Sequence, residues 1–350
     1  MINSTIKLPI VFGVTGHRDI RNEDIPYLEK VVSKELNRAK KRYKHSELIV
    51  LSALAEGADR LVARVALADG FRLIVPLPMP IDEYKKDFTT QSSKDEFDFL
   101  LSKAAWHYAL PLVEGNTFDN IRPYGEPRDK QYAQLGAYIA QESHFLLALW
   151  DGIPLTLLGG TSYIVRYKLQ QEKLTFPMPD SPLDYIESGP VFHIMTPRQG
   201  RPLPAEKRQL FKLRKIYPID WGRKPTEPDS DQRPQPNNHH RQQRAAEKMY
   251  RRKINNIDKY NRDAEKISHA EPEKIEQSKV DLIRDLQLRE EIGNDSRHFF
   301  EHYAVADALA IKARDKKIGL FDIFFNWQFL PYLCLLSIRI SFWKTLKAIC

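Results

Sequence analysis

Short apolar runs recur through residues 8–198, each followed by a stretch with helical spacing, and this alternation constrains the chain more than anything else in it. "LPIVFGV" (8–14), "ELIVLSALA" (47–55), "FRLIVPLP" (71–78), "HFLLALWDG" (144–152) and "PVFHIMTP" (190–197) are rich in aliphatic and aromatic residues, with "YALPLV" (108–113) a weaker addition. A strand that is apolar on both sides must be covered on both faces, the condition of a parallel sheet between layers of helices. The intervening stretches supply those helices. Leu28, Val31, Val32, Leu36 and Ala39 repeat at helical spacing between Tyr27 and Tyr43, and Leu61, Val62, Val65 and Ala66 do so before Gly70. Further helices are expected around 129–142 and at "TSYIVRYKLQ" (161–170). The expected fold class is therefore α/β, a mostly parallel sheet with helices on both faces.

Beyond residue 198 the rhythm breaks. Eight prolines fall between Pro197 and Pro236, and "PTEPDSDQRPQPNNHHRQQR" has little to bury, so 199–245 reads as an extended basic linker. Residues 198–253 hold 16 Lys and Arg against 6 Asp and Glu, an excess larger than the whole chain's net charge of +8. The sheet region is then slightly acidic, which does not favour nucleic acid as its partner. Residues 246–318 turn helical and charged. Tyr250, Ile254, Ile257, Ala264 and Ile267 form a narrow apolar stripe suited to a coiled coil or a helix pair.

The tail at 319–350 contains "FDIFFNWQFLPYLCLLSIRISFW", long enough to cross a bilayer but interrupted by Asn326, Gln328, Pro331 and Arg339. Flanking aromatics with Lys344 and Lys347 point to membrane contact. The chain stops soon after, at "KAIC", and a further hydrophobic segment is expected beyond it. The two cysteines, Cys334 and Cys350, exclude a disulfide scaffold, and no charged leader points to export. A cytoplasmic sheet domain held at the inner membrane by the tail is the expected arrangement.

Glycine-containing turns follow the runs at 8–14, 47–55 and 144–152: "GVTGHRD", "LAEGADR" and "LGGTSY". In an open parallel sheet they leave from one edge, where such folds bind ligands. The unpaired N–H groups of a helical first turn suit phosphate, and glycine lets the backbone approach it. Arg18 adds a planar cation that can donate two hydrogen bonds to such a group. Other roles compete: Asp59 also fits as a first-turn carboxylate stabilised by the helix dipole, Gly70 serves backbone geometry, and His17 fits an exposed turn.

The segment "VLSALAEGADRLVARVALADGFRLIVPLP" resembles the central part of the DNA-processing protein A family, in which a strand ends Ser-Gly-Leu-Ala before Gly-Ile-Asp. Ser52, Leu54, Ala55, Gly57, Asp59, Ala66, Leu67 and Gly70 stand in those places, while Ala53 replaces a glycine and Ala63 a usual histidine. "LGGTSY" is similar to the phosphate loop of the Lonely Guy phosphoribohydrolases. The arrangement as a whole, with "LPMPIDEYKKDF" and "EFDFLLSKA", resembles the SLOG domains of bacterial conflict systems, thought to sense nucleotide-derived signals.

The resemblance covers about residues 8–198 and implies a Rossmann-like domain over 1–198. It implies a nucleotide-like ligand held by Gly13, Thr15, Gly16, His17 and Arg18, by Gly57, Asp59 and Arg60 with Glu56 beside them, and by Gly159, Gly160, Thr161 and Ser162. No cofactor is required. The phosphoribohydrolases place a glutamate three residues after the loop threonine, where this chain has Ile164. An aliphatic side chain cannot act as acid or base, so binding without turnover is the expected activity.

"FEHYAVADALAIKARDKKIGLF" resembles the helix before the membrane segments of SLATT effector domains. That implies a homo-oligomeric sensor with a membrane output in antiviral defence signalling, the basic linker facing an anionic leaflet. Two alternatives remain: a nucleoside-monophosphate phosphoribohydrolase using Glu56, and a single-stranded DNA-binding protein. "HFFEH" places His298 and His302 one helical turn apart like a zinc pair, but no third ligand is evident and no metal is expected.

Overall fold

A computed structural model describes residues 7–155, 157–169, 188–201, 210–218, 236–286 and 297–315. They form an α/β unit around a mostly parallel sheet, and a helical C-terminal region. The sheet unit comprises Pro9–Arg42 and Glu47–Arg252. Its strands are β1 (Pro9–Gly16), β2 (Glu47–Leu51), β3 (Arg72–Leu77), β4 (Trp106–Ala109), β5 (Phe145–Trp150), β6 (Val191–Met195) and β7 (Leu213–Ile216). Its helices are α1 (Ile25–Arg42), α2 (Ala58–Ala68), α3 (Ile81–Tyr84), α4 (Gln91–Lys103), α5 (Phe118–Ile121), α6 (Glu126–Glu142) and α7 (Thr161–Lys168), followed by the first part of α8 (Pro236–Ala270).

The strand order is β4-β3-β2-β1-β5-β6-β7. Every pairing is parallel except β6 with β7, where Val191 faces Ile216 and Ile194 faces Leu213. The chain lays β1 to β4 outward to one side, then crosses back to put β5 on the other side of β1. That reversal falls at the carboxyl ends of β1 and β5, the place where such sheets take ligands.

Successive strand residues point to opposite faces. Val11 packs with Leu135, Ile139, Leu146, Ile164 and Tyr167 on the face covered by α6 and α7. Phe12 points the other way, stacked on Phe145 at 4.9 Å and edge-on to Phe71 at 6.0 Å. All six residues of the central β5 are buried. Phe145 is further covered by Tyr250 of α8, whose hydroxyl donates to the carbonyl oxygen of His144.

The composition marks 199–245 as a linker, yet β7 lies within it and α8 begins at Pro236. Gln243 pairs both ways with the backbone of Tyr217, at 2.9 and 2.7 Å, which fixes the start of α8. Among the described residues the second unit takes in Lys7, Leu8, Tyr43–Ser46 and the chain from Lys253, with α9 (Pro272–Leu286) and α10 (Arg297–Asp315). Within it, Asn261 accepts from the Leu8 amide at 2.7 Å and donates back to its carbonyl at 2.9 Å. Ile267, Ile275, Ala304 and Ala308 form its small core. Among the described residues no helix is long and apolar enough to cross a membrane. The tail at 321–343, which carries the membrane expectation, lies outside them.

Candidate functional site

The first two glycine turns are stitched together at the carboxyl edge. The His17 amide donates to the Leu149 carbonyl at 3.0 Å, and the His17 carbonyl accepts from Ala58, the first residue of α2, at 3.0 Å. Gly57 has φ +78°, and a Cβ there would stand 2.4 Å from the carbonyl oxygens of both His17 and Arg18. Only glycine combines that dihedral with that approach. The third turn closes from the other side: Gly159 has φ +73°, and a Cβ on it would lie 2.9 Å from the Ala133 nitrogen. The Arg18 guanidinium lies 5.4 Å from the centre of the Tyr132 ring. Consecutive residues of α6 thus receive the first and third turns.

Arg18 stands in a recess. It is exposed to solvent, and it makes no hydrogen bond or ion pair among the described residues. Crowding by protein works against its charge, but Tyr84, Tyr132, Asp87 and Asp59 around it outweigh that and hold its pKa above the ordinary value. Asp59 is buried, and burial pushes its carboxyl up to about 7 against the opposing pull of Arg18 and of the Ala55 amide. Tyr84 is 1% exposed, its phenol is held far above its usual pKa by burial, and its hydroxyl has no hydrogen-bond partner among the described residues.

The wall behind them is rigid. Arg128 and Asp87 form a buried pair at 2.7 Å. Arg128 also donates to the Ile121 carbonyl at 2.7 Å, the Glu83 carbonyl at 3.0 Å and the Tyr132 hydroxyl at 2.9 Å, while that hydroxyl donates to Asp87. Arg128 is spent on its neighbours, which leaves Arg18 as the open cation of the recess. Residue patterns did not single out Tyr84, Asp87, Arg128 or Tyr132 as site residues. Two local signals were present, "PIDEYKKDF" after β3 and the helical spacing of Arg128 and Tyr132.

Several of the expected site residues make framework contacts. Gly13 sits inside β1, where a Cβ would meet Ser143 Oγ at 2.7 Å and Ile139 at 2.9 Å, and Thr15 lies within the strand opposite Ala148. Gly16 is pressed against α2 and β5, with a Cβ 2.4 Å from that of Ala58 and 2.5 Å from the Leu149 oxygen. Arg60 turns toward α4, donating to Leu54 at 3.0 Å and to Ser93 at 2.9 Å, with its guanidinium 4.4 Å from the Phe88 ring centre. Glu56 accepts from the Ser93 hydroxyl. Ser162 Oγ accepts from the Leu155 amide at 3.2 Å and from Arg166 at 2.7 Å. Gly160 caps α7 and Thr161 opens it.

His17 is buried rather than exposed in its turn. Its Nε2 accepts from the Asp151 amide at 2.9 Å, which places the ring proton on Nδ1. Burial lowers its pKa despite the Asp151 carboxylate 3.4 Å away. The neutral ring ties the loop after β1 to the loop after β5. Nearby, Arg198 donates to both carboxylate oxygens of Asp19, at 2.9 and 3.1 Å, joining the turn after β6. Among the described residues no cluster of His, Cys, Asp and Glu is suited to a metal ion, and the side chain of His298 lies outside them.

No family model matches the chain, and no curated protein matches it. Among solved structures it is similar to DNA processing protein A (DprA) from Streptococcus pneumoniae, with 18% identity and a TM-score of 0.30. The match covers 46% of each chain, so less than half of that protein's length is spanned. This is a distant likeness of fold, across which no activity passes.

Proposed function

We propose that the carboxyl edge of the sheet binds a phosphorylated, nucleotide-derived small molecule and does not turn it over. One observation carries the reading: Arg18 presents an unpaired guanidinium in a recess where its neighbours Asp59 and Tyr84 are buried. A cation held this way suits one phosphoryl group, with the Tyr84 hydroxyl and the Asp59 carboxyl available to ligand hydroxyls. A single open arginine is not a track for a nucleic-acid backbone. Turnover is disfavoured because His17 is neutral and engaged, Glu56 is held by Ser93, and the position of the family's glutamate is a buried Ile164.

On this reading the sheet unit is the sensor and the C-terminal helices carry its output. The membrane effector, the oligomer and the defence setting rest on sequence resemblance alone. Co-sedimentation of the chain with liposomes, lost on removal of 319–350, is the expected sign of that output.

The test of binding is mass spectrometry of small molecules that stay with the purified full-length chain, beside Arg18→Ala and Gly160→Asp. A phosphorylated compound on the parent and on neither variant is expected. Its equal retention by Arg18→Ala removes the assignment.

A second reading, hydrolysis of the N-glycosidic bond, is favoured by one fact: a carboxyl titrating near neutrality beside the open arginine has the pKa of a general acid or base. It requires release of free base from added nucleoside monophosphate, and loss of that release in Asp59→Asn.

A further inference from the structure

We propose that the outer face of α8, within the sheet unit, docks the phosphate backbone of a nucleic acid. Between His240 and Arg252 every exposed charged residue is basic: Arg241, Arg244, Lys248, Arg251 and Arg252. At 3.6 residues per turn these five fall within an arc of about 100°, opposite the buried Ala246 and Tyr250. The acidic residue of the stretch, Glu247, is partly buried and paired with Arg251. Arg241, Arg244 and Lys248 have no ion pair or hydrogen bond among the described residues.

Like charges three and four apart repel along a helix, so the row is a standing cost to the isolated protein. It is also held in place. Tyr250 is 1% exposed and bonded to the His144 carbonyl, and Gln243 is bonded twice to Tyr217. This is a rigid row, not a solvated tether.

The partner follows from charge and shape. From Arg241 to Arg252 the row runs about 16 Å, at 1.5 Å per residue. A nucleic-acid strand with a phosphate every 3.4 Å or so offers about five negative charges over that length. Four of the five basic residues are arginines, whose planar fork matches phosphate oxygens. A helix that lies on lipid carries large apolar side chains beside its basic ones. Here Met249, 48% exposed, is the large apolar residue on the open face, because Tyr250 is turned inward. A linear, soluble polyanion is favoured over a membrane surface.

The test uses the full-length chain and fluorescence anisotropy with a short labelled single strand and the matching duplex, titrated with salt. The comparison is the triple variant Arg241→Gln, Arg244→Gln, Lys248→Gln, with its melting temperature checked against the parent. The parent is expected to bind, with log K falling linearly in log salt. The triple variant is expected to lose about 2 to 3 from that slope and about tenfold or more in affinity. Arg18→Ala is expected to bind the oligonucleotide as the parent does, which separates this surface from the small-molecule recess. Absence of binding by the parent at low salt overturns the proposal, and so does an unchanged slope and affinity in a folded triple variant. Capture of anionic vesicles through the same three residues, without oligonucleotide binding, assigns the row to a membrane and overturns it as well.

Discussion

Asp59 titrates near 7 in the folded chain, against an ordinary value of 3.8, so the fold favours its protonated form. Between those two values the unfolded chain has released a proton that the native state still holds. Stability contributed by this residue therefore falls as pH rises from about 4 to about 7, by at most about 1.4 kcal/mol per pH unit, and stays lost above. Asp59→Asn is expected to flatten that dependence. Denaturant titrations at pH 5, 6, 7 and 8 check it, and a variant as pH-sensitive as the parent contradicts it. Gly57 offers a second prediction. An alanine there meets both a left-handed φ and two carbonyl oxygens at 2.4 Å, so Gly57→Ala is expected to cost more than about 1 kcal/mol and to displace Arg18. Ligand retention and melting temperature should fall together.

Among the elements, α6 bears the greatest consequence for the recess. The side chains of Arg128 and Asp87 are each 2% exposed and satisfy one another. Arg128→Met strands a buried carboxylate and is expected to cost about 3–5 kcal/mol, whereas adding Asp87→Leu recovers part of it. Thermal unfolding of the two single variants and the double reads the coupling. The same element marks the limit of what residue order reveals. β1, β2, β3, β5 and β6 announce themselves as Val, Ile and Leu runs because each is buried on both faces. The helices α1 and α2 are equally plain from their apolar spacing. β7 is short and carries Arg214 and Lys215 at the sheet margin, so its composition is that of a linker. At the site, Gly57, Asp59, Arg18 and the Gly159–Gly160 bend were legible from their place after strands. Their partners Tyr84, Asp87, Arg128 and Tyr132 come from elements far apart in the chain, and only tertiary packing joins them.

For the molecule as a whole, the sheet unit extends well past residue 198. β7 pairs with β6, and Tyr250 covers Phe145, so a chain stopped at 198 uncovers β6 and an aromatic core residue. A fragment of residues 1–198 is expected to aggregate or melt lower than one of 1–252, as light scattering and thermal melts would reveal. Equal behaviour of the two would show the later residues to be dispensable. The antiparallel turn of β7 has a further effect. It returns the chain to the amino ends of β5 and β6, where Tyr217 and the His144 carbonyl anchor α8. The arginine recess lies at the opposite, carboxyl edge of the sheet, beyond the ends of β1, β2 and β3. The two proposed ligands would then meet the sheet unit at opposite edges, and whether small molecule, protein and polymer form one ternary assembly is a question of stoichiometry.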